Sequence, residues 1–207
     1  MAQPVNPRAT LRAERAALTR RRIADAARGL FARDGYGATT LQAIADEAGV
    51  AVQTVYAVFK SKPGILRELR DAMVFLPEAE AEYRRAMGAA GGGDPGVALD
   101  AFARSIRIRW DTGADLVLVD REAGSSEPAL REAGRAAYER RRGGLRALAD
   151  ALGPGLRPGV DTAEALATLD ALTLPDVFIE VVLGLGWTSD AYEAWLAASL
   201  RRLLLAG

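Results

Sequence analysis

Apolar residues in this chain recur every three or four positions and almost never alternate, which predicts amphipathic helices rather than strands. Ile23, Ala26, Ala27, Leu30 and Phe31 form one such stripe. They predict a first helix over residues 20–33, with Thr19 as its N-cap and Gly35 as its closing glycine. Before it, residues 1–9, with Pro4 and Pro7, read as a loose arm, and the chain is helix-compatible from Thr10. A short helix over residues 41–48 opens at Thr40, turns Leu41, Ile44, Ala45 and Ala48 inward, and stops at Gly49. A second short helix follows over residues 52–59. Helix, short helix, glycine-bearing turn and short helix together make a helix-turn-helix arrangement. Ser61 then caps a further helix with Pro63 in its first turn. Its inward positions are Ile65, Leu66, Leu69, Met73 and Val74, and it stops at Pro77.

The remainder is a succession of helices. The pattern predicts them over residues 78–90, 95–110 with Asp94 as cap, 114–123, and 127–152 with Gly143 and Gly144 inside. A Gly/Pro-rich loop spans residues 153–159. A helix runs from Asp161 or Thr162 to Leu172, is interrupted by Pro175 and resumes to Leu185; the last, capped by Ser189, covers residues 190–205. The fold class is therefore all-α: an amino-terminal helix-turn-helix domain over residues 1–62, then a larger helical domain over residues 63–207.

Composition narrows the chemistry. At 207 residues, 50% apolar and 26% charged, the chain has ordinary globular make-up. It has neither cysteine nor histidine, which removes disulfides, thiolate metal sites and the commonest general base, so no cofactor is expected. No apolar run approaches a membrane span and no leader-like segment begins the chain, so a cytoplasmic protein is expected. The formal net charge of zero conceals a division: residues 1–62 carry ten basic and five acidic side chains, residues 63–207 carry 17 and 22. A basic head on an acidic body suits a nucleic-acid-binding module joined to a second domain, although uneven charge alone does not establish it.

A recognition helix needs a rigid scaffold, small polar groups facing base edges, and phosphate contacts that fix its register. Gln53 and Thr54 open the second short helix, where glutamine can pair with adenine and the threonine methyl can meet thymine. Tyr56, Lys60 and Lys62 can reach phosphate oxygens, and so can Thr40 at a helix N-terminus. Each has a plainer alternative: Tyr56 as a packing residue, Lys60 and Lys62 as a solvated pair, and the run Arg20, Arg21 and Arg22 as an exposed face.

Residues 19–66, TRRRIADAARGLFARDGYGATTLQAIADEAGVAVQTVYAVFKSKPGIL, resemble the amino-terminal domain of the TetR family of bacterial transcriptional regulators. The resemblance rests on the Ile23, Ala26, Phe31 spacing, on DGYGATTLQAIADEAGV, on TVYAVF and on Lys62. It implies that Thr40 caps the first short helix and touches phosphate, that Gln53 and Thr54 face DNA, and that Tyr56 and Lys62 grip phosphates. It also implies a homodimeric repressor of double-stranded operator DNA, released when a small molecule binds the carboxy-terminal domain. Two departures stand out. Ala51 and Val52 replace the serine and lysine common after the turn, removing a helix cap and a phosphate contact, and Ala57 follows the tyrosine.

In the body, Phe102, Ile106, Trp110, Tyr138 and Phe178 are large residues on different helices that suit the lining of a cavity for a mainly apolar effector, or simply a core. Arg104, Arg107, Arg109, Asp111, Asp115 and Glu122 add polar options. Leu169, Leu172, Val181, Leu185, Trp195 and Leu200 belong to an apolar tract that suits a four-helix dimer interface, or the protomer's own core. Two other function classes compete. An enzyme would recruit Asp111, Asp115, Asp120 and Glu122, and a protein-interaction adaptor would have a head without DNA affinity.

Overall fold

A computed structural model describes residues 7–74 and 76–206. Among the described residues the protein is helical throughout, with no strand beyond an isolated Leu156–Leu205 bridge. The head comprises α1 (Pro7–Asp34), α2 (Leu41–Ala48) and α3 (Val52–Phe59), and α4 (Lys62–Val74) leads into the body. The body comprises α5 (Pro77–Gly91), α6 (Pro95–Ser126), α7 (Pro128–Leu152), α8 (Thr162–Leu172), α9 (Pro175–Phe178) and α10 (Ser189–Leu204).

The arm read over residues 1–9 lies outside the described residues as far as residue 6, and from Pro7 the chain is already helical. Thr19 is consequently a mid-helix residue and not a cap. The segment before it is rich in Ala and Arg, and one interior threonine costs only a few tenths of a kcal/mol in such a run. The side chain of Val74 also lies outside the described residues.

The two helices expected over residues 95–110 and 114–123 are one helix of 32 residues. Thr112 does not break it, because its hydroxyl donates back to the Ile108 carbonyl at 3.0 Å. Gly113 is present for space: a Cβ there would collide with Sδ of Met73 on α4. Gly113→Ala should therefore destabilise the fold by about 1–2 kcal/mol through overpacking, as measured by urea unfolding. The Met73→Ala background should suppress most of that cost, since it empties the contested space.

Beyond α9, residues 179–184 form a wide π turn, with the Leu185 N–H donating to the Glu180 carbonyl at 2.8 Å. The expected regular helix through Leu185 is thus replaced by a looser one. The last helix is capped by Thr188, whose hydroxyl accepts from the Ala191 N–H at 3.1 Å; Ser189 instead donates to Asp111 at 2.5 Å.

Two cores result. In the body, Leu99, Phe102, Leu148, Leu169, Leu196 and Leu200 are fully enclosed. In the head, Ile23, Phe31, Ile44, Val55, Phe59 and Ile65 form the second, and Leu116, Val119 and Ala123 of α6 complete it. The head's apolar interior therefore rests directly on the helix that runs through the body.

Candidate functional site

The turn between α2 and α3 is built as its sequence requires. Gly49 adopts φ 64° and ψ 43°, a left-handed conformation that side chains resist, and the Val50 N–H closes back on the Ala45 carbonyl at 2.9 Å. Val55 and Phe59 anchor α3 in the head core. The opposite face is left outward: Gln53 is exposed, Thr54 half-buried, and Tyr56 is 53% exposed. Tyr56 is thus a surface residue and not a core one. Thr40 is exposed and caps α2, its Oγ1 accepting from the Ala43 N–H at 3.1 Å while its own O–H stays available. Ala51 stands at the N-cap of α3 with no side-chain hydrogen bond, so the amide groups there are left without a serine.

The basic residues divide sharply. Lys60 is exposed and folds back to donate to the Ala57 carbonyl at 3.1 Å. Lys62 is engaged within the head. Its ammonium donates to the carbonyls of Tyr36 at 2.6 Å and Thr39 at 2.9 Å, and lies 4.3 Å from the Tyr36 ring centroid. Burial lowers its pKa, partly offset by Glu127 and Glu122. Arg20 is held by Glu68 at 2.6 and 2.7 Å and lies over the Phe59 ring. Arg22 donates to the Ala48 carbonyl at 2.6 Å, capping α2. Because α1 starts at Pro7, these arginines sit mid-helix and not at a helix start.

Three polar joints tie this head and α4 to α6. Arg28 makes a bidentate pair with Asp115 at 2.8 and 2.7 Å. Arg70 of α4, only 7% exposed, pairs with Asp120. Glu122 accepts from the backbone N–H groups of Tyr36 at 3.0 Å and Gly37 at 2.9 Å. These amide bonds, from Gly37 and then Tyr36, hold the Glu122 carboxyl below the usual glutamate range. A depressed carboxylate contributes stability that is full above its unfolded pKa and fades as pH falls through the folded value. The melting temperature of the wild type should therefore drop more steeply below about pH 4.5 than that of Glu122→Gln, as measured by circular dichroism.

Between α4, α5, α6 and α7 lies a cavity of about 780 Å³. Phe102, Ile106, Trp110 and Tyr138 line it as expected. Phe178 does not: it closes α9 on the inward side and is buried in the body core against Tyr192, ring centroids 5.0 Å apart and edge-on. Among the expected polar groups Arg109 lines the cavity. The others are engaged elsewhere: Arg107 with Asp111 and Glu193, Asp115 with Arg28, and Glu122 with backbone amides. Sequence reasoning missed Arg70, Tyr83, Asp120 and Arg141 on the wall. Arg70 and Asp120 had a signal: each is a charge four residues after a leucine, Leu66 and Leu116, on an inward stripe.

Of the residues read as a partner surface, Leu169 and Leu200 are fully enclosed in the protomer's own core. Leu172, Val181 and Trp195 are half-buried, while Leu185 is 64% exposed beside exposed Leu183 and Trp187. The carboxylates considered for catalysis do not converge: Asp111, Asp115 and Asp120 each face an arginine. Among the described residues no group of acidic side chains has the arrangement of a metal site, and no helix is long and apolar enough to cross a membrane.

A three-helix head with an outward polar helix, seated on a helical body with a cavity, is a helix-turn-helix architecture joined to a larger helical domain. Residues 23–69 match the family model for bacterial regulatory proteins of the tetR family. A 51-residue stretch is 43% identical to YvkB, a helix-turn-helix-type transcriptional regulator of Bacillus subtilis strain 168, covering 25% of this chain and 27% of that one. NalD, the secondary repressor of the MexAB-OprM multidrug efflux pump in Pseudomonas aeruginosa, is 22% identical, with 93% of this chain and 98% of that one superposing at a TM-score of 0.65. SmeT, in its triclosan complex, is 18% identical, with 91% and 92% covered at a TM-score of 0.68. Residues 23–69 thus resemble the amino-terminal domain of the tetR family, and the chain as a whole has the fold of NalD and SmeT.

Proposed function

We propose that this protein is a homodimeric transcriptional repressor that binds double-stranded operator DNA and leaves it when a small, mainly apolar effector fills the body cavity. One observation carries this reading: α3 is locked by Val55 and Phe59 while Gln53, Thr54 and Tyr56 face outward. A braced helix with small polar groups on its free face is what major-groove readout needs. Thr40, Tyr56 and the exposed Lys60 are the phosphate contacts. Lys62 acts one step behind them by holding the loop that carries Thr40.

Dimerisation is supported by the exposed apolar cluster of Leu183, Leu185 and Trp187, continued by half-buried Leu172, Val181 and Trp195. Two heads multiply the few base pairs that one short helix reads. Effector release is supported by position: α4 and α6 line the cavity and are joined by Arg70 and Asp120, and α6 carries the Asp115 and Glu122 contacts to the head. A ligand that shifts α4 against α6 changes head spacing, and DNA must weaken ligand binding by the same factor. Such a protein works in the cytoplasm, at the nucleoid when bound.

The test is selection of double-stranded DNA from a random pool, followed by binding measurements at two salt concentrations. The expected result is a two-fold symmetric site bound by a dimer, with affinity falling as salt rises. If no sequence is enriched even at low salt, the repressor gives way to the adaptor reading.

A further inference from the structure

The walls of the body cavity say more about its occupant than size alone. Six arginines line it against two carboxylates, Glu80 and Asp120. Arg141 and Arg121 are also held by Asp170 and Asp176, which are not on the wall; counting these too, positive charge is in excess. Such a lining repels cations and attracts anions, the more so because a partly enclosed apolar space screens charge poorly.

Two of these guanidinium groups are incompletely satisfied. Arg70 is 7% exposed, its Nη2 meets Asp120, and its buried Nε has no acceptor. Arg141 gives Nη1 to Asp170 and Nη2 to the Asp170 carbonyl and Thr173 hydroxyl, yet its Nε is likewise buried without a partner. A buried donor left unmade is costly, and a turn of the guanidinium towards the cavity that lets a ligand oxygen accept from it recovers that cost. Burial also lowers the pKa of Arg109 on the same wall, and an anion nearby favours its charged form. Apart from Ser105 and Ser125, the rest of the lining, including Phe102, Trp110, Tyr83 and Tyr138, is apolar or aromatic.

We propose that the cavity selects an organic anion, with a broad apolar or aromatic body and one carboxylate-like head bound by the guanidinium groups of Arg70 and Arg141. This rests on the reading of the cavity as the effector site, and it names the chemistry of that effector.

The test is fluorescence titration of the full chain with three matched probes: 4-(1-pyrenyl)butyrate, 4-(1-pyrenyl)butanol and 4-(1-pyrenyl)butylamine. The carboxylate should bind about tenfold or more tightly than the alcohol, the scale of one charge-assisted hydrogen bond, and the amine most weakly. Arg70→Met should erase the carboxylate's advantage over the alcohol. Should that variant fail to fold, Arg141→Met carries the same comparison. Alcohol or amine binding as tightly as the carboxylate would overturn the anion proposal while leaving an effector cavity in place. An advantage that persists in the folded variant overturns the assignment to these arginines. Failure of all three probes to bind would remove the effector site itself, and this proposal with it.

Discussion

Replacing Arg70 with methionine should destabilise the protein by about 3 kcal/mol, because it strands the Asp120 carboxylate in a largely enclosed site. The pair joins α4 to α6, with side-chain exposures of 9% and 24%, at the point where the head meets the body. Removing both charges should cost far less. A buried ion pair contributes little net stability, whereas an uncompensated charge is strongly unfavourable. In urea unfolding, Arg70→Met should therefore be the weakest variant, and the double variant Arg70→Met with Asp120→Leu should recover most of the loss. Equal destabilisation of single and double variants would show that Arg70 acts through packing of its stem and not through its charge.

Lys62→Met should be the next most damaging change, lowering head stability by about 1.5–3 kcal/mol, the scale of hydrogen bonds to a charged donor. The ammonium gathers the carbonyls of Tyr36 and Thr39 at 2.6 and 2.9 Å, and so closes the loop that presents Thr40. Lysine at this position resembles a phosphate-gripping residue, and the two roles separate experimentally. A lost phosphate contact reduces the slope of log affinity against log salt by about 1. With Lys62 as an internal clamp, the variant loses folded head but, where folded, keeps the wild-type salt slope. A slope reduced by about 1 with unchanged stability would return Lys62 to the phosphate.

Much of the head was legible in the sequence because its signals are local. Thr40 and Gly49 mark the ends of α2 through capping geometry, and Val55 and Phe59 mark the inner face of α3 by spacing alone. The body was less legible, because its decisive features are contacts between distant segments. Gly113 reads as a helix break, yet Met73 lies where its Cβ would be. Phe178 reads as a cavity residue, but the end of α9 places it in the core against Tyr192. Leu169 and Leu200 belong to an apolar tract whose inner and outer faces cannot be separated until neighbouring helices are placed. Lys62 shows the same limit for charge: a lysine near a turn carries no local mark that three backbone carbonyls, those of Tyr36, Gly37 and Thr39, surround it.

Sequence recognition depends most on α3 presenting Gln53 to base edges, and Gln53→Ala addresses it directly. Its affinity should be compared with the wild type on the selected site and on a scrambled duplex at the same salt. Binding to the selected site should weaken by about 1–3 kcal/mol, the value of one bidentate base contact, while binding to the scrambled duplex stays unchanged. Equal affinity of both proteins for the selected site, or an equal loss on both duplexes, would contradict base reading by this helix.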